Sequence, residues 1–449
     1  MRLKRENISA ALSLVVMMVM AVGCAKDAFE DMKTKEGYRV GNTPSRIVRP
    51  AERQVFLIYS AGFNTLSADL ESDVEEFKQG YVPSLSSPNV VLVYSKRTAP
   101  RSGFSTKTPS YLVRLYSEMD GKVVADTLKR WSESAVAASP QTLRNVWEYV
   151  RSNYPATHYG MLFSSHASGW VPPGYYMNGK ITTAAPASSS VSSQSFANLS
   201  SVPVPYSAPV QLPGVPSVRS LGMDNKTNSS AYEMDIEEFA KAIPVKLDYL
   251  IFDACLMGCV EVAYALKDKC SRILFSPAEV LSDGMCVYEK LGERLLMNPE
   301  QDLESVCNDA YDFYDKQTGQ YRSLTISMVD CKAMDQLATA CSRLFSDYAQ
   351  NLSSVNPDNV QGYFRFGKSW FYDIEDILLK SGVPQVAMAD FYSAMDRAVP
   401  YKKSTQYFID FKIDTYSGMS MFLPVADNDP ALKEYYKTLS WNKATGLVR

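Results

Sequence analysis

Histidine is nearly missing from this 449-residue chain, which carries only His158 and His166. That scarcity excludes much chemistry. No H-E-x-x-H pair is present, so a zinc hydrolase of that type is ruled out. The two histidines are eight residues apart, roughly 26 Å if both lie on one extended strand, so only one of them can serve a single site. There is no phosphate-binding G-x-x-x-x-G-K-[ST] loop, no G-x-S-x-G nucleophile elbow and no D-x-D-x-D-G calcium loop. Basic residues are not in excess: 46 Lys and Arg stand against 49 Asp and Glu, and a net charge of −3 gives no footing for nucleic acid or an anionic membrane surface as partner. Paired C-x-x-C motifs are absent too, and the cysteines after Cys24 are seven and irregularly spaced, so neither a disulfide framework nor a zinc site is indicated.

Long apolar runs are also lacking. The one near the N-terminus, Ala10–Gly23, is short for a bilayer span and follows a basic start at Arg2, Lys4 and Arg5. It ends in Ala21-Val22-Gly23-Cys24, which resembles the lipobox of bacterial lipoproteins, with Cys24 as the acylated mature N-terminus; the alternative is an ordinary secretory signal or short anchor. Residues 1–23 are thus expected to be a lipoprotein signal and 24–50 a polar tether. Asp27, Glu30 and Asp31 point to outer-membrane or cell-surface display.

From residue 51 the pattern alternates. Val55–Tyr59 and Val90–Tyr94 read as strands, and Leu70, Val74 and Phe77 mark a helix between them. Tyr111–Tyr116 with Lys122–Ala125 suggests a hairpin. Leu143, Val146, Trp147 and Val150 mark a second helix; Ile236, Phe239, Ala240 and Ile243 a third. Arg272–Phe275, Leu324–Val329 and Met419–Leu423 read as further strands. Alternating strands and helices imply an α/β fold with a mostly parallel sheet. Within it, residues 181–230 are dense in Ser, Pro, Ala and Val and are expected to form a low-complexity insertion. The region 51–300 is expected to be one catalytic domain, and 301–449 a mixed α+β region whose independence is open.

What is there in place of the missing motifs is two apolar runs that stop at reactive side chains. Met161–Trp170 (MLFSSHASGW) ends at His166, and Leu247–Val260 (LDYLIFDACLMGCV) at Cys255. Buried parallel strands present their C-terminal ends to a ligand crevice, so these two residues are a candidate base and nucleophile. A following helix around Gly258–Lys269 would help stabilise a Cys255 thiolate. The plainer readings are a loop histidine bonded to backbone and a cysteine buried as a small hydrophobe. His158, at the entry end of its strand, reads as structural.

HASGW resembles the H-G-x-G-W signature of clostripain-like cysteine peptidases, and DACLMG resembles their D-A-C-L-M-G nucleophile motif. Weaker resemblance runs from Val55 through Ser276-Pro277-Ala278-Glu279 to Ser417–Pro424. The resemblance implies a caspase-like three-layer α/β/α sandwich, Cys255 as nucleophile and His166 as general acid/base, with no third carboxylate required. The oxyanion would be held by the backbone N–H groups of Cys255 and Ala167; the family usually has glycine at the latter position, which puts that contact in question. The implied substrate is a protein or peptide cut after Arg or Lys. Asp253 is the residue for the substrate cation, or else a strand-end helix cap, and Glu279 and Asp283 could add negative charge. Maturation by cleavage between the two motifs is implied, at Lys180, Arg219 or Lys226, with an unprocessed loop as the alternative. Calcium dependence occurs in the family; no other cofactor or metal is implied. The rival function is a catalytically inactive surface lipoprotein of the same fold that binds peptide, glycan or a partner protein.

Overall fold

A computed structural model describes residues 51–100, 102–175, 221–227, 230–365, 369–425 and 428–449. Cys24, Lys180 and Arg219 lie outside the described residues. The elements that position the site are strands β1 (Ala51–Gly62), β2 (Val90–Arg97), β3 (Ser110–Ser117), β4 (Val123–Trp131), β5 (Ala156–Ser164), β6 (Leu221–Thr227), β7 (Ser230–Met234), β8 (Leu247–Asp253), β9 (Cys270–Phe275), β10 (Thr325–Asp330), β11 (Tyr372–Asp373) and β12 (Tyr401–Ser404). With them come helices α1 (Asp69–Phe77), α2 (Pro140–Asn153), α3 (Ile236–Ala242), α4 (Val260–Leu266), α5 (Tyr288–Gly292), α6 (Leu303–Asp315) and α7 (Met334–Asp347).

Nine strands form one sheet in the order β12-β10-β9-β8-β5-β1-β2-β3-β4. The central five, β9-β8-β5-β1-β2, are parallel, and antiparallel pairs close both edges. The chain leaves β1 toward β2 and later returns on its other side as β5, so the strand order reverses there. Open α/β sheets bind ligands at such a reversal, outside the strand C-termini. The central strands are continuous apolar runs because both faces are covered. Helices α2, α3, α4 and α7 lie on one face, and α1, α5 and α6 on the other. This is the three-layer α/β/α sandwich with a mostly parallel sheet.

Register across the centre is fixed by a rung of aromatic side chains. Tyr94, Tyr59, Phe163 and Phe252 are paired in turn across β2, β1, β5 and β8. Their ring centroids lie 4.4, 5.6 and 6.1 Å apart. A slip of any one strand by one residue would turn its ring to the opposite face and break the row. The next rung is Ser95, Ser60, Ser164 and Asp253; β5 and β8 end there, while β1 and β2 run on to Gly62 and Arg97.

Two expectations change in extent. The irregular stretch does not reach residue 230: β6 starts at Leu221, where Leu221 and Met223 are buried. The strand expected over Met419–Leu423 is regular only at Ser420–Met421, because its partner β11 offers two residues. Beyond residue 300, β10 and β12 extend the main sheet, and Ala51–Arg449 forms one compact unit.

Candidate active site

Ser164 at the end of β5 is paired with Asp253 at the end of β8. His166 and Cys255 each follow two residues later, so neighbouring strands deliver both at the same level. The two motifs also touch. Gly169 has φ +57°, and a Cβ there would meet the Leu256 carbonyl oxygen at 2.7 Å and the Phe371 ring at 2.7 Å. Only glycine tolerates that backbone and that approach. Leu256, directly after Cys255, is itself at φ +60°, a strained conformation for a leucine.

His166 is fully buried. Its Nε2 lies 2.8 Å from Thr65 Oγ1, on the loop leaving β1. Its main chain is held by β6: Gly222 N–H donates to the His166 carbonyl at 3.0 Å, and Met223 N–H to Ser165 Oγ at 3.1 Å. Asn64 Nδ2 donates to the Met223 carbonyl, and Asn225 N–H to that of Phe63, tying the Thr65 loop to the same strand. Ala167 is not among the non-glycine residues with positive φ, so its Cβ causes no strain. The departure from glycine therefore leaves this N–H undisturbed by its own side chain.

Cys255 is 2% exposed and sits against the loop after β9. Val280 N–H donates to its Sγ at 3.3 Å, while Leu256 and Gly258 N–H groups bond to the carbonyls of Ala278 and Ser276. Burial pushes the thiol up to about 12, with Glu279 and Asp253 adding to the rise and the Val280 N–H and Arg365 opposing it. In this form Cys255 is a thiol, not a thiolate.

Beside the sulfur is a small acidic cavity, about 20 Å³ in volume, lined by Asp69 and Asp73 of α1, Asp253 and Cys255 of the β8 end, and Val280, Leu281, Ser282 and Gly284. Its room suits a single water and no larger group. Asp253 does not cap α4. It accepts hydrogen bonds from Ser164 Oγ at 3.1 Å, Met285 N–H at 2.7 Å and the Tyr288 hydroxyl. Burial raises its carboxyl. Asp73 is raised to about 9, first by burial and then by Asp253, Glu76 and Asp69. Burial and the like charge of Asp253 keep Asp73 protonated at neutral pH, so a proton remains on this pair. Asp283 is exposed and adds to the rise at Asp69 and Glu76, which places its charge at the rim.

Glu279 takes a different position from the one expected. It is buried and turned onto Arg365, whose Nε lies 3.2 Å from both carboxylate oxygens. Its charge is answered within the protein and is not presented to a substrate cation. His158 lies at the far end of β5, exposed, with Nδ1 3.1 Å from Asp248. Lys226 falls within β6. Asp69, Asp73 and Glu76 were not legible from sequence, since an acidic helix face ordinarily points to solvent. Among the described residues no group of three or more His, Cys, Asp or Glu is placed to hold a metal ion, and no helix is long and apolar enough to cross a membrane.

The model of the clostripain family (Peptidase_C11) matches residues 58–183 and 211–437, spanning both motifs and most of the chain. The chain belongs to the clostripain family. It is accordingly a cysteine peptidase, and its sandwich is the fold of solved clostripain-family proteases. An inactive zymogen C11 protease from Parabacteroides distasonis is 24% identical, with a TM-score of 0.67 over 89% of this chain and 99% of that one. A secreted C11 cysteine protease from Bacteroides thetaiotaomicron, "iotapain", is 22% identical, with a TM-score of 0.64 over 88% and 99%. A secreted C11 protease from the same organism in complex with an irreversible peptide inhibitor gives 20% and 0.67 over the same shares. No curated protein matches the chain significantly.

Proposed function

We propose that this clostripain-family peptidase is an exported, lipid-anchored endopeptidase that cleaves proteins or peptides after arginine or lysine, with Cys255 as nucleophile and His166 as general acid/base. The observation that carries the reading is the pair of adjacent strand ends, with buried carboxyls opening directly beside the sulfur. His166 takes the thiol proton, and the thiolate attacks the scissile carbonyl carbon. The oxyanion is received by the N–H groups of Cys255 and Ala167. His166 then gives the proton to the leaving amine, and water, activated by the same imidazole, hydrolyses the thioester. The Asp253–Asp73 pair supplies the negative charge for the substrate's guanidinium or ammonium, with Asp283 at the rim.

The described form is a resting one, because its cavity is too small for an arginine side chain and its thiol is protonated. That supports activation by cleavage between the motifs. Lys226 lies within a paired strand, so Lys180 and Arg219 are the favoured positions. Export rests on the N-terminal sequence and on the secreted relative from Bacteroides thetaiotaomicron. The same raised thiol favours a second reading, a fold kept for binding alone.

One experiment separates the two. Purified protein is given fluorogenic Arg and Lys peptides after reduction and limited proteolysis, beside the Cys255→Ala variant, and both are weighed intact. Turnover that the variant lacks, with a shorter wild-type mass, is the expected outcome. Equal intact masses would remove self-processing, and turnover absent from both would leave the binding reading.

A further inference from the structure

The sheet orders the site like a ruler. Along its C-terminal edge the acidic cavity lies between α1 and the ends of β5, β8 and the loop after β9, Cys255 stands over β8 and His166 over β5, and β1 and β2 follow on the histidine side. Over β1–β2 lies a second and much larger cavity, about 460 Å³, which the chemistry above does not use. Phe63 and Phe104, packed edge to face with centroids 6.1 Å apart, and Tyr232 supply its aromatic walls. At its floor Lys96, 5% exposed, lies 3.3 Å from the buried carboxylate of Asp224 and 4.9 Å from the centre of the Phe63 ring. Lys96 also donates to the Ala135 carbonyl, and Asp224 accepts from the N–H groups of Ala137 and Ala138. The floor charges are thus answered internally, and the rings of Phe63, Phe104 and Tyr232 line the space together with Val136, Lys107 and Asn225. The mouth opens at exposed Ser105, Glu133 and Ser134.

Phe63 is two residues from Thr65, which touches the His166 ring, so this cavity adjoins the histidine, whereas the acid cavity meets the same loop at Leu66, touches Ser165 and extends from there to Asp253 and Val280. In the proposed mechanism the leaving amine departs on the histidine side. We infer that the cavity is a subsite for the leaving-group half of the substrate, taking an aromatic or large apolar side chain. Neighbouring strands are about 4.8 Å apart and an extended peptide advances about 3.3 Å per residue, which places that side chain at the second or third residue beyond the scissile bond. This specificity rests on the Cys255–His166 reading and extends it: the enzyme selects on both sides of the cut.

The test uses the processed full chain and quenched-fluorescence peptides with Arg at the cleavage site and Gly, Ala, Leu, Phe or Trp at each of the next four positions. The expected result is a roughly tenfold gain in kcat/KM for Phe or Trp at one of the second or third positions. Ser134→Trp, which fills the mouth, and Phe104→Ala, which removes a wall, should both reduce that gain to near one. Their turnover of a short Arg-aminocoumarin substrate should stay at the wild-type value. Equal rates for all residues, or a preference that survives both variants, would overturn the subsite. Absence of turnover even on the aminocoumarin substrate would instead strike the catalytic reading. The same peptides titrated onto Cys255→Ala would then decide the cavity alone, with tighter binding of the Phe and Trp peptides upholding it and equal binding overturning it.

Discussion

Ala167 stands where the family motif has glycine, yet the backbone there does not take the left-handed conformation for which glycine would be needed. Its N–H is set by the strand end and by β6, and not by the absence of a Cβ. Ala167→Gly should therefore leave kcat/KM for an Arg substrate unchanged within about twofold, while lowering stability by about 0.5–1 kcal/mol through the extra freedom of the unfolded chain. Parallel assays and urea titrations measure both; a large gain in kcat would mean that the alanine was obstructing the oxyanion. The positions of Cys255 and His166 just past two neighbouring strand ends could be read from the letters around them because strand ends announce themselves: an apolar run stops and a polar side chain follows. The company they keep could not. Val280 on the Cys255 sulfur and Thr65 on His166 come from loops whose sequences carry no periodicity to betray where they fold back.

Helix α1 shows how much an element can hide. The spacing of Leu70, Val74 and Phe77 marked its buried face, but Asp73 lies next to Val74 and is drawn under with it. Sequence periodicity ranks residues by hydropathy and so counts such a carboxylate as solvated; only the position of β8 reveals that it shares a cavity with Asp253. The consequence is a pH dependence. An unfolded chain releases the Asp73 proton near the ordinary carboxylate range, whereas the folded protein keeps it up to about 9. Between these values the folded state holds the extra proton, so the stability this group contributes is full at acid pH and is lost as pH rises toward 9. Asp73→Asn should flatten the decline of the thermal midpoint between pH 5 and 9 and make the protein more stable at pH 8. It should also raise KM for Arg and Lys substrates several-fold with less effect on kcat. In the proposed mode of binding, a substrate cation expels the shared proton, so KM should fall as pH rises from 6 to 9. A KM indifferent to pH, or unaffected by the substitution, would remove Asp73 from the specificity pocket.

At the scale of the molecule, the boundary at residue 300 is not one that the sheet respects. Strands β10 and β12 complete it, Ser420 N–H bonds to the Gly258 carbonyl beside the nucleophile turn, and Arg365 answers Glu279 in the loop that carries Val280. The mixed pattern after 300 concealed this, because antiparallel edge strands and short helices read the same whether they found a new domain or finish an old one. Arg365→Met should leave Glu279 buried without its partner. Where such a pair is broken on one side the loss is about 3–5 kcal/mol, so a drop in the denaturation midpoint is expected together with lower activity. Removing both charges, Arg365→Met with Glu279→Gln, should restore most of the stability. Failure of the double variant to recover would show that the pair matters for more than mutual neutralisation. The bond between Gly222 and the His166 carbonyl has its own consequence at this scale. With the Met223–Ser165 and Asn64–Met223 bonds it ties points 56 residues apart in sequence, so the histidine segment is held by contacts that do not run through the chain between them. A gene split inside that interval should then supply the enzyme as two separately translated halves that find each other through the β5–β8 pairing and the packing of α2 on α3.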